Sequence, residues 1–274
     1  MRRVLVTVMA AMVVGGVGSG SAAAEGSGCS LTSTGGTVTR TLGDRTYGLN
    51  VPAGLEGSVP LLLSLHGAGS AGWQDEYFTG WSAFAAKKGF IVAYPQARPS
   101  SQSGLWDPYT PASTDVAYLK SVVADVSASY CVNPSRVHVD GWSNGAVMSQ
   151  RTACDAADVF ASASSYAGGT PTAAGFGTPC APSRPIAMAL FAGQYDFTYA
   201  TLASNASDWR TLDGCGAGVH STDAYGSTDT YSCAAGTHVV ARVVNLTSHN
   251  WPSGAQGEDQ RERLWAFFTA NPRP

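Results

Sequence analysis

Apolar positions along the chain fall into two periodic patterns separated by polar stretches. Short, nearly continuous apolar runs stand at 60–65 (PLLLSL), 90–94 (FIVAY) and 186–191 (IAMALF). Runs of this length with no polar alternation mark strands buried on both faces. Less uniform runs at 137–140, 160–166 and 239–246 read as further strands, and Thr37–Leu42 and 47–51 as an opening pair around the turn Gly43-Asp44. Elsewhere the spacing is helical. Val116, Leu119, Val122, Val123 and Val126 recur on one helix face, predicting a helix over 114–130 with Thr114 as its N-cap and Asp115 at the positive end of its dipole. Helices are also predicted at Trp81–Lys88, closed by Gly89, and at 144–154 and 258–269. Strands that alternate with helices imply an α/β fold, a mainly parallel central sheet with helices on both faces.

The polar stretches are the remainder. Residues 25–36 form a flexible entry, and 96–112, rich in Ser, Pro and Gly but holding Trp106 and Tyr109, read as a long surface loop. Cys215 and Cys233 bracket a Gly/Ser/Thr-rich insertion, which their pairing would staple. No internal repeat is visible.

The start of the chain changes the picture. Arg2 and Arg3, an apolar run from Val4 to Val17, and the small residues Ala22-Ala23-Ala24 have the layout of an export signal, with cleavage expected after Ala24. The run is too short to span a bilayer and is interrupted by Gly15 and Gly16, which argues against a membrane anchor. A single domain is therefore expected over 25–274, exported to the extracellular space, monomeric and without a membrane partner. The formal net charge is −3, and loss of Arg2 and Arg3 with the signal would make it −5. A mildly acidic chain without a basic cluster speaks against nucleic acid as a partner. All six cysteines, Cys29, Cys131, Cys154, Cys180, Cys215 and Cys233, follow the signal. An even number in an exported chain reads as three disulfides, with the connectivity otherwise open. No C-x-x-C or H-x-x-x-H spacing is present, so no metal site is expected.

The candidate chemistry centres on Gly141-Trp142-Ser143-Asn144-Gly145, which fits G-x-S-x-G between a predicted strand and a predicted helix. A serine on such a tight turn projects its hydroxyl from the carboxyl edge of the sheet as a nucleophile. The Asn144 N–H, at the helix N-terminus, then faces an oxyanion formed on attack. His66-Gly67-Ala68-Gly69 directly follows the strand at 60–65, where this kind of site takes its second oxyanion donor, here assigned to Gly67 or Ala68. The base must come late in the chain. His66 and His138 precede Ser143, His220 lies in the insertion, and His238 starts the last strand at the wrong edge; His249 follows that strand. The acid should follow the strand at 186–191, which favours Asp196 over the later Asp208 and Asp213. Trp73, Tyr77, Trp106, Tyr109, Trp142 and Trp251 lie in or beside loops at the same edge, and Trp106, Trp142 and Trp251 are the candidate substrate-binding residues. Among these Trp142, next to Ser143, is expected to be the most buried.

The blocks LHGAGS, YCVNPSRVHVDGWSNGAVMS with VFASASSYAGG, and SHNWP resemble secreted esterases of carbohydrate esterase family one, which includes feruloyl and acetylxylan esterases, and the related polyhydroxybutyrate depolymerases. The resemblance runs from about Leu61 to the C-terminus. It implies the α/β-hydrolase fold, the triad Ser143, Asp196 and His249, two-step acyl transfer, an ester substrate, and no cofactor. Two positions depart from the family pattern. The acid loop usually reads H-G-x-x-D but here is Ala192-Gly193-Gln194-Tyr195-Asp196, and Ser248 stands where a glycine usually precedes the base.

The substrate is less determined. Depolymerases of crystalline polyester usually carry a separate binding module, and none is recognisable here. That favours a ferulate-type ester of plant cell-wall polysaccharide, with acetylxylan or short hydroxybutyrate oligomers as alternatives. An inactive binding protein on the same fold and a serine peptidase are the other classes. The first would be marked by a lost triad member and the second by a gating domain; neither mark is present.

Overall fold

The computed structural model describes residues 29–98, 104–110, 112–169 and 179–274. The signal segment predicted at 1–24 lies outside these residues. The described strands form one sheet: β1 (Thr37–Leu42), β2 (Arg45–Asn50), β3 (Val59–Leu65), β4 (Ile91–Pro95), β5 (Val132–Gly141), β6 (Ser162–Tyr166), β7 (Ala187–Gly193), β8 (Gly218–Asp223), β9 (Gly226–Ser232) and β10 (His238–Val244). Their spatial order is β1-β2-β4-β3-β5-β6-β7-β10-β9-β8. The six central strands, β4 to β10 in that order, run parallel, while the β1–β2 and β8–β9 hairpins add antiparallel edges.

The helices are α1 (Gly72–Thr79), α2 (Trp81–Lys88), α3 (Thr114–Ser129), α4 (Asn144–Asp155), α5 (Tyr199–Leu212) and α6 (Gly254–Ala270). Helices α3, α4 and α5 cover one face, where Leu119, Met148 and Trp209 pack on Leu61, Leu63 and Val139. Helices α2 and α6 cover the other, where Phe84, Leu264 and Phe268 pack on Leu62, Val92 and Ala189. Burial on both faces explains the unbroken apolar runs: every residue of β4 and β7 is buried.

Several details differ from the expectations. The N-cap of α3 is Ser113, whose hydroxyl accepts from the Val116 N–H at 3.4 Å, so Thr114 is the first helical residue. The stapled insertion is ordered: the Cys215–Cys233 disulfide closes on the β8–β9 hairpin, which extends the sheet. Cys29–Cys131 and Cys154–Cys180 complete the pairing, leaving no free cysteine. No described helix is long and apolar enough to cross a membrane.

The face beneath α2 and α6 holds buried polar groups. Asp140 accepts from the Trp81 indole at 2.9 Å and from Ser164 at 2.5 Å, and Asp75 accepts from Ser64 at 2.6 Å. Burial raises the Asp75 carboxyl to about 7 and that of Asp140 to about 6, and it lowers His138 to about 3. An unfolded Asp75 would lose its proton near its ordinary value of 3.8, whereas the folded one keeps it to about 7. Its contribution to stability is therefore complete below pH 4 and lost as pH rises through 7. Replacing Asp75 by Asn is expected to raise stability relative to wild type progressively between pH 4 and pH 8, by roughly 2–4 kcal/mol across that range. Calorimetry at several pH values checks this. A difference between the two proteins that is flat with pH would show that Asp75 does not hold its proton; His138, common to both, drops out of the comparison.

Candidate active site

Ser143 stands between β5 and α4 in a conformation that side chains rarely adopt, φ 58° and ψ −118°. The turn is held from both sides. The Trp142 N–H donates to Leu65 O at 3.1 Å, and the Ser143 N–H to Tyr166 O at 2.9 Å. The flanking glycines are sterically required: a Cβ on Gly141 would lie 2.2 Å from Gly145 O, and one on Gly145 would lie 2.1 Å from Leu65 O. The chain can therefore stay on this strained turn, which lifts the hydroxyl clear of the sheet.

His249 lies beyond β10, in the segment leading to α6. Its Nε2 is 2.8 Å from Ser143 Oγ. Its Nδ1 is 2.9 Å and 3.1 Å from the two oxygens of Asp196, whose side chain is buried. Asp196 Oδ1 also accepts from the Thr198 N–H at 2.7 Å and the Thr198 hydroxyl at 2.8 Å, which fixes the carboxylate plane. The acid and base loops are bound to each other. Tyr195 N donates to Thr247 O at 2.9 Å, and the Gln194 side chain accepts from Leu246 N at 3.1 Å. A Cβ on Gly193 would meet Thr247 O at 2.4 Å. Gln194 and Tyr195, at the two variable positions of the acid loop, thus contribute contacts to the base loop, while Ala192, where the family pattern has a histidine, is buried in β7. Ser248, the other departure, bonds Asn250 at 2.6 Å, and Asn250 O accepts from Tyr166 at 3.0 Å.

The other candidates lie elsewhere. Asp213 is buried and accepts from Ile186 N at 3.2 Å, at the far edge of the sheet, and Asp208 lies within α5. His220 pairs with Asp229 in the β8–β9 hairpin, and His238 with Asn271.

Gly67 packs against the nucleophile turn: a Cβ there would lie 3.3 Å from Ser143 Cβ. Its carbonyl accepts from Ser70 N at 3.2 Å and is 2.8 Å from His66 Nδ1. Asn144 opens α4, so its N–H is one of the unsatisfied donors at a helix start.

Two tryptophan assignments are corrected. Trp106 is buried, and its indole donates to His66 O at 2.9 Å. Trp251 is buried in the core against Trp81 and Tyr166. Both are packing residues, because a fully covered ring has no face to offer a substrate. Trp142, expected to be the most buried, is only partly buried, packing on the core beside His249 with ring centroids 6.0 Å apart.

The cleft at Ser143 and His249 measures about 350 Å³ and is lined by Tyr109, Val147, Ala167, Phe197 and Thr201. Phe197 was not singled out from the sequence. Its ring is 75% exposed and stacks on the His249 imidazole, with centroids 4.3 Å apart. Its position directly after Asp196 is the one signal that could have marked it.

Comparison with solved structures matches this architecture to an acetyl xylan esterase from Aspergillus awamori, with a TM-score of 0.70 at 16% identity over 85% of this chain and 99% of that one. A carboxylesterase from Mesorhizobium loti matches with a TM-score of 0.60 at 17% identity, over 84% of this chain and 98% of that one. The fold is that of the α/β-hydrolases. No protein-family model matches the chain. Among curated proteins, a feruloyl esterase B from Piromyces equi is 24% identical over 230 residues, 76% of this chain and 43% of that protein. A poly(3-hydroxyalkanoate) depolymerase C from Paucimonas lemoignei is 34% identical over 126 residues, 44% of this chain and 30% of that protein. An acetylxylan esterase from Coprinopsis cinerea is 32% identical over 143 residues, 49% of this chain and 37% of that protein. The α/β-hydrolase chain therefore spans less than half the length of these relatives, and the resemblance to both esterase groups is borne out.

Proposed function

We propose that the chain is a secreted serine carboxylic-ester hydrolase that releases ferulate-type acids from plant cell-wall polysaccharide esters, with residues 1–24 removed on export. The observation that carries this reading is the unbroken hydrogen-bond chain Ser143–His249–Asp196 opening into one cleft. In the first step His249 Nε2 takes the Ser143 proton as Oγ attacks the ester carbonyl. Asp196 holds Nδ1–H and stabilises the imidazolium. Backbone N–H groups of Asn144 and the Gly67–Ala68 segment receive the oxyanion. The tetrahedral intermediate collapses, the C–O bond breaks, and His249 returns its proton to the leaving alkoxide. Water, deprotonated by His249, then releases the acid from Ser143.

The cleft supports an aromatic acyl group. Tyr109 and Phe197 offer ring surface around about 350 Å³, most of which an acetyl group would leave empty. The pairing of all six cysteines supports export. Acetylxylan and hydroxyalkanoate esters stay as the second reading, because relatives bearing those names match at higher identity over shorter spans.

The test is hydrolysis of methyl ferulate and of a small acetate ester by residues 25–274, with Ser143→Ala as the blank. Turnover of both, with methyl ferulate preferred in kcat/KM, is expected. Preference for the acetate would move the substrate to the second reading, and turnover of neither would make this an inactive binding fold. Phe197→Ala is expected to raise KM for methyl ferulate roughly 3–10-fold more than KM for the acetate. Equal changes for both esters would place the acyl ring elsewhere.

A further inference from the structure

The two oxyanion donors named above come from segments far apart in sequence, yet a closed set of hydrogen bonds joins them through Trp106. On one side, Trp106 N donates to Asn144 Oδ1 at 2.8 Å, and Asn144 Nδ2 donates to Trp106 O at 3.4 Å. The first residue of α4 is thus clamped by both main-chain groups of one residue. On the other side, the Trp106 indole N–H donates to His66 O at 2.9 Å, and the two rings lie 5.1 Å apart.

His66 carries the link onward. Its Nε2 accepts from Ala97 N at 3.1 Å, so that nitrogen is unprotonated and Nδ1 bears the hydrogen, which it donates to Gly67 O at 2.8 Å. Gln96 is oriented to support this, since its Oε1 accepts from Gly72 N at 3.0 Å while its Nε2 lies 3.2 Å from His66 Nε2. Burial lowers the His66 pKa, in keeping with a neutral ring. Gly67 O receives a second bond from Ser70 N, so the Gly67–Ala68 peptide is pinned by its carbonyl. In a trans peptide the N–H points opposite the C=O. The Ala68 N–H is therefore directed away from His66 and Ser70, and Gly67 itself packs against Ser143.

Trp106 is in turn held from behind. The guanidinium of Arg45, paired with Asp115 at 2.6 Å, lies 5.4 Å from its ring, and Asp115 also accepts from Asp107 N at 2.7 Å.

We propose that Trp106 is a positioning residue that sets the spacing of the two oxyanion donors, Asn144 N–H and Ala68 N–H, by clamping Asn144 with its main chain and His66 with its indole. This rests on the serine-esterase reading. Trp106 touches no reacting atom. It acts by keeping two donors within hydrogen-bond reach of one developing charge, where displacements well below 1 Å weaken the interaction.

The test uses Trp106→Phe, which keeps an aromatic six-membered ring but removes the five-membered half of the indole with its N–H, together with Asn144→Ala, which leaves the Trp106 ring in place, and the double variant. Both single variants should lower kcat for methyl ferulate about 10–100-fold with KM within about twofold of wild type and the pH profile unmoved. An arylboronic acid, which forms a tetrahedral adduct on the nucleophile, should lose a similar factor in affinity, while the product ferulate binds as before. Because the two substitutions break one chain of bonds, the double variant should lose much less than the product of the single losses. Unchanged boronate affinity in both folded single variants would overturn the proposal, as would fully multiplicative losses. If Trp106→Phe does not fold, Asn144→Ala alone carries the boronate comparison. Failure of the esterase reading looks different: wild type itself would then bind no boronate at Ser143.

Discussion

Asp196→Asn is expected to leave the protein folded and to reduce kcat on methyl ferulate by about 10³–10⁴-fold. The structure explains both halves of that expectation. The Asp196 oxygen that accepts from the Thr198 main chain and hydroxyl can be replaced by the amide oxygen, so the loop keeps its two internal bonds. The other oxygen, 2.9 Å from His249 Nδ1, becomes an NH₂ group. The NH₂ group faces Nδ1 more closely than the retained oxygen does, at 2.9 Å against 3.1 Å, and two donors cannot face each other, so the tautomer with its hydrogen on Nε2 is favoured. That nitrogen, 2.8 Å from Ser143 Oγ, then presents an N–H in place of the lone pair needed to take the serine proton. The buried negative charge that would stabilise the imidazolium is lost in the same change. Steady-state kinetics with calorimetry on the same sample makes the check. A loss below about tenfold in a fully folded variant would remove Asp196 from the relay.

The largest effect on stability is expected from Cys29→Ser with Cys131→Ser. The disulfide joins residues 102 apart in sequence, against 26 and 18 for the other two. Loop-closure entropy of the unfolded chain scales with that separation, giving about 3–5 kcal/mol for the long loop. The bridge also seats the start of the described chain on the sheet. Ser30 N donates to Ser129 O and Cys131 N to Ser30 O, and Cys131 O accepts from Val59 N at the start of β3. For a domain of this size the loss corresponds to a fall in Tm of roughly 8–15 °C. Calorimetry under non-oxidising and oxidising conditions, compared with Cys215→Ser/Cys233→Ser, measures it. The shorter loop on the exposed β8–β9 hairpin should cost less, and the reverse order would show that the long loop is already restricted when unfolded.

How far the sequence revealed this arrangement depended on what kind of contact forms each part. The parallel strands were legible because burial on both faces removes polar residues, as in β7, AMALFAG. The nucleophile turn was legible because its strain admits so few residues at Gly141, Ser143 and Gly145. His249 was legible from chain order together with its place just after the last predicted strand, which separates it from His220 and His238. Helix α1 was not, because it inverts the usual pattern: Gly72, Asp75 and Thr79 are buried while Trp73, Tyr77 and Phe78 face outward. Strand β8 was equally hidden, since all six of its residues are exposed and its place comes from main-chain pairing with β9. Trp106 misled for a related reason. It stands in a segment rich in Ser, Pro and Gly, which reads as surface, but its indole and main chain are taken up by His66 and Asn144. Such contacts between distant segments leave no periodic trace.

The central claim is that Ser143 forms a covalent acyl intermediate. The most direct measurement is mass analysis of acid-quenched enzyme during turnover of a p-nitrophenyl ester, with the modified peptide located and Ser143→Ala run beside it. The account predicts one acyl group on Ser143 in the wild type, none in the variant, and a loss of ester turnover of about 10⁴-fold or more in the variant. Turnover in the wild type with Ser143 unmodified, or near-normal turnover by Ser143→Ala, would contradict it.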